Sequence, residues 1–183
     1  MVSEKLLLFL VCFILSHNSY AQSIKQLDNK YGYKDISFND SLDKWKDKVE
    51  IRRNDKTIGI MAFMKDLSNY SFAGYNAMQV MLTFNSEDYS LESITVELAF
   101  QKADVPNGKY ILYSLDEFLY VSNVLEDLFG KQEQYVRTGT DIIFRKWRGE
   151  KVELLFYYEH RGISSYDTGT MIIRKIDKES FEF

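Results

Sequence analysis

The sequence predicts an α+β fold in which two similar halves, each a helix followed by antiparallel strands, form one domain with its sheet packed on the helices. Three observations predict this fold. Apolar residues recur at helical spacing over 115–129. Segments on both sides of that helix alternate apolar and polar residues, as strands with one buried face do. A Ser-Leu-Asp-x-aromatic pattern occurs at Ser41–Trp45 and again at Ser114–Phe118.

Residues 1–21 have the pattern of a secretory signal peptide. Lys5 precedes the apolar run Leu6–Leu15, and Ser19 and Ala21 suit a small-residue cleavage site. The run is too short to span a bilayer, which disfavours a retained membrane helix. We therefore expect an exported protein, periplasmic or extracellular, with one domain over 22–183 and no transmembrane segment after cleavage.

The composition of the cleaved chain excludes several chemistries. Cys12, the only cysteine, leaves with the signal peptide, so disulfides, thiolate catalysis and cysteine-based zinc sites are excluded. The net charge stays at −4, because the segment removes one Lys and one Glu, and this charge argues against nucleic acid as a partner. One remaining histidine, His160, cannot form a zinc site alone, and the sequence has no calcium or phosphate loop. We expect no metal and no cofactor.

The first half, about 31–103, begins with a turn and a short strand at Tyr31–Ile36. Asp40 or Ser41 then caps a short helix with Leu42, Trp45 and Val49 on one face. Alternation predicts three strands, which are Thr57–Met64, Ala77–Phe84 with Met78, Val80, Leu82 and Phe84 inward, and Ser93–Gln101 with Ile94, Val96, Leu98 and Phe100 inward.

The helix between the halves has recognisable ends. Ser114 is the predicted N-cap, and Glu117 can complete a capping box. Gly130 stands where a left-handed C-cap is favoured. The predicted apolar stripe consists of Phe118, Val121, Leu125 and Leu128.

The second half, about 108–176, contains the remaining predicted strands. They are Glu133–Arg137, Asp141–Arg148, Lys151–Glu159 and Thr170–Ile176. Gly149-Glu150 predicts a hairpin between the second and third of these strands. A polar loop is expected from His160 to Thr168.

The two Ser-Leu-Asp-x-aromatic segments favour an internal repeat, although two N-capped helices can share such a pentad by coincidence. The chain resembles tandem-repeat secreted proteins of the β-lactamase-inhibitor-protein type and small outer-membrane-assembly lipoproteins. Asn39–Trp45 stands where that family has a Gly-Met-Ser-x-x-x-Val helix start, without the glycine. Phe84 followed by Leu91–Ile94 is similar to its strand motif, and Leu128–Lys131 to its helix end.

Tyr31–Ile36 is also similar to the start of uncharacterised exported proteins of Bacteroidetes-type bacteria. The resemblance covers 31–176 and implies a two-repeat architecture and a non-enzymatic role. It carries over no partner and no functional residue.

Catalytic patterns are weak in this sequence. His160 is the only histidine available for a triad, and no Gly-x-Ser-x-Gly elbow accompanies it. Glu97 and Glu153 lie at outward strand positions and could form a carboxylate pair for glycoside hydrolysis. A solvated sheet face explains the same alternation and is favoured.

Aromatic residues make up 15% of the chain, and some fall outside the predicted core. Tyrosine with Ser, Asn and Gly forms adaptable contact surfaces, so these residues are candidates for binding. The alternative, which is favoured, is that tyrosines fill half-buried positions at sheet edges; Trp45 and Trp147 are expected in the core. The binding candidates are Tyr70, Phe72, Tyr75, Tyr157, His160, Arg161 and Tyr166.

The leading functional hypothesis is a non-catalytic binding or accessory protein whose partner is another envelope or extracellular protein. A small two-carboxylate hydrolase and a component of envelope assembly are the alternatives. The sequence identifies no ligand for any of the three.

Overall fold

The computed structural model describes residues 25–101, 113–136, 142–159 and 166–176. Of these residues, 53% lie in strands and 21% in helices. The helices are α1 over 25–30, α2 over Leu42–Trp45 and α3 over Tyr113–Phe129. The strands are β1 Gly32–Tyr33, β2 Ile36–Ser37, β3 Val49–Asp55, β4 Gly59–Met64, β5 Ser71–Phe72, β6 Tyr75–Phe84, β7 Leu91–Gln101, β8 Glu133–Val136, β9 Ile142–Arg148, β10 Val152–Glu159 and β11 Tyr166–Lys175.

Eight strands lie side by side in the order β3-β4-β6-β7-β11-β10-β9-β8, and every neighbouring pair is antiparallel. We call β3, β4, β6 and β7 the first meander and β8 to β11 the second meander. Strand β5 pairs with β6 outside this order, and β1 and β2 form a separate two-stranded ribbon. The meanders join where β7 pairs with β11, from Gln101 opposite Tyr166 to Ser93 opposite Arg174.

The predicted fold class is therefore wrong. The protein is β-rich and built on one mostly antiparallel sheet, not on two α+β halves of helix plus strands. The helices are also unequal, because α2 has four residues and α3 has 17. Val49, assigned to the first helix, begins β3 instead. That strand was missed because its exposed charged residues hide the strand pattern, as is common at sheet edges.

The interior strands were predicted more accurately than the fold class. In β7, Ile94, Val96, Leu98 and Phe100 are fully buried, as the alternation predicted. Strand β6 departs from its predicted pattern, because a bulge between Ala77 and Gln79 buries Ala77 and leaves Met78 exposed.

Strand β11 begins at Tyr166, inside the predicted polar loop. Asp167 and Thr168 are buried there, and Asp167 accepts a hydrogen bond of 2.5 Å from the Tyr158 hydroxyl. Because Asp167 has a buried hydrogen-bond partner, it can lie in an interior strand. The polarity of this segment alone had predicted a loop.

Helix α3 packs over the junction of the two meanders, against β7 of the first and β10 and β11 of the second. Phe118, Val121 and Leu125 are fully buried, but Leu128 is 39% exposed and Phe129 is buried in its place. At 3.6 residues per turn, Phe129 lies about 20° from Phe118 around the helix, whereas Leu128 lies about 80° away.

The two ends of α3 differ in how well they were predicted. Ser114 lies inside the helix, so it is not the N-cap. Gly130 has φ of 84° and its amide donates to the Glu126 carbonyl at 2.7 Å, which confirms the C-cap.

The rings beneath α3 form a packed aromatic layer. Phe118 stacks on Phe156 with ring centroids 4.7 Å apart, and Phe100 meets the edge of Phe156 at 6.5 Å. A Cβ on Gly169 would lie 2.3 Å from Cζ of Phe100, so a glycine is needed for that ring to lie against β11.

Both tryptophans are buried in the core, as predicted. Trp45 is fully buried and its Nε1 donates to Asp40 at 3.1 Å. Trp147 is 2% exposed and its Nε1 donates to the Gly130 carbonyl at 2.8 Å.

The N-terminal helix is fastened to the predicted hairpin between β9 and β10. The Asp28 carboxylate accepts the amides of Glu150 and Lys151 at 2.8 Å and of Val152 at 3.1 Å. We call this contact the Asp28 clip. It joins segments more than 120 residues apart.

Among the residues described, no helix is long and apolar enough to span a membrane. The predicted signal peptide, residues 1–21, lies outside the described residues.

Candidate functional site

One face of the sheet packs into the hydrophobic core. The core cluster of the described residues does not include the side chains on the opposite face. Core residues take every second position along the interior strands, and the positions between them point the other way. Among the described residues, seven apolar side chains larger than alanine occupy these intervening positions, are half-buried and are not part of the hydrophobic core cluster. They are Met61, Phe63, Met81, Phe144, Leu155, Tyr157 and Ile172. We call the surface they share the open face.

Strand register arranges the open face in rows. Directly paired residues on neighbouring strands share a face, so their side chains lie next to each other. The register of the central row runs from Glu50 on β3 to Glu133 on β8, and its six inner strands, spaced about 4.8 Å apart, span about 24 Å. Its members on these six strands are Phe63, Met81, Thr95, Ile172, Leu155 and Lys146.

The open face at β3 is bordered by charges that pair locally. The Arg52 guanidinium lies 4.4 Å from the centre of the Phe63 ring and pairs with Glu50 at 3.2 Å. Arg53 pairs with Asp55 at 3.3 Å. Each cation at this edge thus has a carboxylate beside it.

The opposite end of the open face carries a different arrangement around Glu153, which we call the Glu153 cluster. The Glu153 side chain is 2% exposed. Lys146 Nζ lies 2.6 Å from its Oε2, and Arg174 Nε donates to its Oε1 at 2.6 Å, with Nη2 of the same guanidinium also in contact. Arg148 Nη1 lies 3.9 Å from Oε2.

Electrostatics fix the charge state of Glu153. Burial alone would raise its pKa, but the hydrogen bonds from Lys146 and Arg174, together with their charges, bring the pKa below its ordinary value. Glu153 is therefore an anion at neutral pH that pairs with Lys146 and Arg174.

Among the predicted binding residues whose side chains the structure describes, Tyr157 lies on the open face, opposite Phe144 and Thr170. Phe72 and Tyr75 are half-buried and pack against the core cluster. Their cross-strand pairing brings these two together, away from Tyr157.

Tyr70 was expected outside the core, and the structure corrects that expectation. It is 4% exposed, and its hydroxyl donates to Asp35 at 2.9 Å. Burial, the hydrogen bond to Asp35 and nearby negative charge raise its pKa. The loop was misjudged because a tyrosine can bury its ring while its hydroxyl keeps a polar partner.

The remaining predicted binding residues cannot be placed on a surface. His160 and Arg161 lie outside the described residues. Tyr166 begins β11 with its backbone opposite Gln101, and its binding role stays a prediction.

The carboxylate pair proposed for hydrolysis is not brought together. Glu97 lies opposite Thr170, which lies opposite Tyr157, four residues along β10 from Glu153. Two strand spacings and four residues place the two backbone positions about 16 Å apart. A glycosidase pair requires carboxyl groups about 5–9.5 Å apart. Within the described segments, no group of three or more acidic, His or Cys side chains could hold a metal ion.

Comparisons of the chain with protein-family models, with curated proteins and with solved structures give no match. The resemblance to tandem-repeat secreted proteins stays a prediction.

Sequence reasoning missed most of the open face, although a signal for it exists. Solvated faces of antiparallel sheets are normally polar. Met81, Leu155 and Ile172 stand at outward positions of alternating strands, where polar residues are expected. Apolar residues at both inward and outward positions therefore indicate a second contact face.

Proposed function

We propose that this chain is an exported, non-catalytic binding protein whose open face holds another envelope or extracellular protein. The observation that supports the proposal most directly is the set of seven half-buried apolar side chains outside the core cluster. Contiguous apolar surface of this kind is typical of interaction sites.

The dimensions of the open face suit a protein partner. Small-molecule sites are usually concave clefts with converging polar groups. A row running about 24 Å across strands fits a flat partner better.

The composition also supports a protein partner. Interfaces combine an apolar centre with a polar rim, and aromatic residues, Met and Arg are enriched in them. The open face has Phe63, Met81 and Leu155 in its central row, with charged side chains at β3 and around Glu153.

The export part of the proposal rests on residues 1–21 and has its own test. Mass spectrometry of the protein secreted by its own cells should find Gln22 at the N-terminus. An intact Met1 in the mature protein would remove export from the proposal.

The binding surface can be tested by site-specific photocrosslinking. A benzoylphenylalanine at Thr95, in the central row, should crosslink one defined protein in the producing cells. The same group at Tyr120, which is 54% exposed on α3, is the matched control and should not capture it. Equal capture from both positions, or no capture from Thr95 in folded protein, would contradict the proposal.

A further inference from the structure

We propose that the outer edge of β3 pairs antiparallel with the β3 edge of a second copy of this chain, so that the sheets of the two copies continue into one. The inference concerns the edge of the sheet and does not depend on what the open face binds. It follows from an unpaired strand edge, from an exposed isoleucine in the middle of that edge, and from a charge pattern that is complementary to itself.

Strand β3 ends the sheet on one side. Among the described strands, Val49–Asp55 pairs with β4 alone, and none of its backbone groups takes part in the described hydrogen bonds of turns, loops or caps. The Lys48 carbonyl accepts from the Lys65 amide on the β4 side, so alternation points the backbone groups of Val49 and Ile51 away from β4. An edge of this kind can add a further strand through main-chain hydrogen bonds.

The middle of this edge presents an apolar side chain to water. Ile51 is 50% exposed, whereas Ala62, its partner on β4, is fully buried. Val49, two residues earlier on the same face, is 3% exposed. The hydrophobic core thus ends beside Ile51, and a strand added to the β3 edge would cover this side chain. Its burial would favour association.

A bulge gives β3 the alternation that pairing with a second β3 requires. Residues that lie opposite each other in an antiparallel pair share a face of the sheet. In a regular strand Glu50 and Arg53 would lie on opposite faces, since they are three residues apart. The register shift between Ile51 and Arg53 places both opposite members of the open face on β4. Glu50 of one copy can therefore lie opposite Arg53 of the other.

The register that pairs Glu50 with Arg53 matches the remaining positions as well. Lys48 then lies opposite Asp55 on the open face, and Val49 lies opposite Asn54 on the core face. Two-fold symmetry repeats each pair, and no like charges lie opposite each other along β3. Charged edge residues usually repel a further strand, but opposite charges across strands attract. A strand complementary to itself indicates a second copy as the partner.

The local ion pairs of β3 are compatible with this contact. Glu50 pairs with Arg52, and Arg53 pairs with Asp55, but all four side chains are at least 36% exposed, and exposed pairs contribute little. The second copy adds a cation beside each carboxylate, Arg53 beside Glu50 and Lys48 beside Asp55. Since a carboxylate can accept from two donors at once, no local pair has to break.

Cysteine crosslinking tests the contact directly. The chain from Gln22 contains no cysteine, because Cys12 is the only one in the sequence. In the proposed register the two copies of residue 51 lie about 6 Å apart, which a disulfide can span. Ile51→Cys should therefore give a disulfide-linked dimer under mild oxidation.

Ile58→Cys is the matched control for this crosslink. Ile58 lies at the β3–β4 turn and is 46% exposed, close to the exposure of Ile51. Its two copies would lie more than about 20 Å apart in the proposed dimer, so it should not crosslink. If Ile51→Cys forms dimers no faster than Ile58→Cys, the inference is wrong.

Charge reversal tests the register. Sedimentation velocity over a concentration series should show a reversible equilibrium between monomer and dimer. Glu50→Arg and Arg53→Glu should each weaken the dimer about tenfold, because each places like charges opposite each other twice. The variant with both changes should recover the affinity, since the two charges only exchange places.

That recovery separates pairing of the edges from damage to the fold, because a misfolded variant cannot regain affinity through a second reversal. Circular dichroism checks that each variant is folded. A double variant no better than the single variants would overturn the inference. So would a wild-type chain that stays monomeric throughout the series, and crosslinking at Thr95 in that case would leave the proposed function intact.

Discussion

The two meanders bury the same kind of sheet face by different means. The second is covered by the 17-residue helix α3, whose Phe118 stacks on Phe156. The first shares α3 at β7, and the rest of its cover consists of Trp45 on the four-residue α2 and of Tyr33 and Ile36 from the β1–β2 ribbon. The contrast shows that the core face of a sheet can be buried by any element that supplies enough apolar side chains, whether or not that element is a long helix.

The meanders differ on the open face as well. The first contributes Phe63 and Met81, with locally paired charges at its edge. The second contributes Phe144, Leu155, Tyr157 and Ile172 and the Glu153 cluster, in which Lys146 and Arg174 pair with a buried carboxylate. Apolar side chains thus lie on both halves of the open face, and the halves differ in whether their ion pairs are exposed or surround a buried carboxylate.

The largest predicted effect tests whether the side chains packed over the two meanders, Phe118 on α3 and Trp45 on α2, stabilise a single cooperatively unfolding domain. Phe118→Ala and Trp45→Ala should each lower the free energy of unfolding by about 3–5 kcal/mol, because each removes a fully buried ring. Since β7 pairs with β11 along most of its length, both variants should shift a single urea transition. Circular dichroism and Trp147 fluorescence measure it.

Leu128→Ala is the control for these core variants. Leu128 is 39% exposed, so the change should stay within about 0.5 kcal/mol. Two separate transitions in the wild-type protein would mean that the meanders unfold independently.

The sequence predicted local structure well where one physical signal dominates. Alternation located β7, and hydrophobic spacing with Gly130 located α3 and its end. It failed for β3, where charged residues form an edge strand. Alternation in single strands cannot show that β7 pairs with β11, so the continuous sheet was replaced by two halves.

The candidate site was harder to predict than the strands. Among the proposed binding residues with described side chains, Tyr157 is the one found on the open face. The Glu153 cluster combines residues from β9, β10 and β11, which strand register brings together. Outward positions of single strands suggested a solvated face, and register was required to show that apolar and charged residues gather there.

The next largest effect concerns the Asp28 clip, which joins α1 to the β9–β10 hairpin of the second meander. Asp28→Ala should cost about 1.5–3 kcal/mol, because three backbone amides lose a charged acceptor. Gly149→Ala should act on the same contact, since a Cβ there would lie 2.3 Å from Asp28 Oδ1.

A variant that carries both Asp28→Ala and Gly149→Ala tests whether Gly149→Ala lowers stability by disrupting the Asp28 clip. If Gly149→Ala acts by displacing Asp28, it should cost little once Asp28 is already alanine, and urea denaturation of all four proteins measures that coupling. Additive costs would show that Gly149 matters for another reason.

The smallest predicted effects on stability come from removing one carboxylate from each meander, Glu153 from the second and Glu50 from the first. Glu153→Gln should cost about 1–2 kcal/mol at pH 7, less than a fully buried ion pair, because Arg148 and Arg174 can turn toward water. Glu50→Gln removes an exposed carboxylate paired with Arg52 and should stay within about 0.5 kcal/mol.

The pH dependence gives the sharper test of the same comparison. Folding lowers the pKa of Glu153, so the unfolded chain binds its proton more tightly, and the stabilisation from this group is full above the unfolded pKa near 4.5. It is lost as the pH falls through the lower, folded pKa. The stability difference between wild type and Glu153→Gln should therefore shrink in acid. A difference for Glu153→Gln that is equal at pH 7 and pH 3 would mean that packing, and not its charge, holds the cluster together.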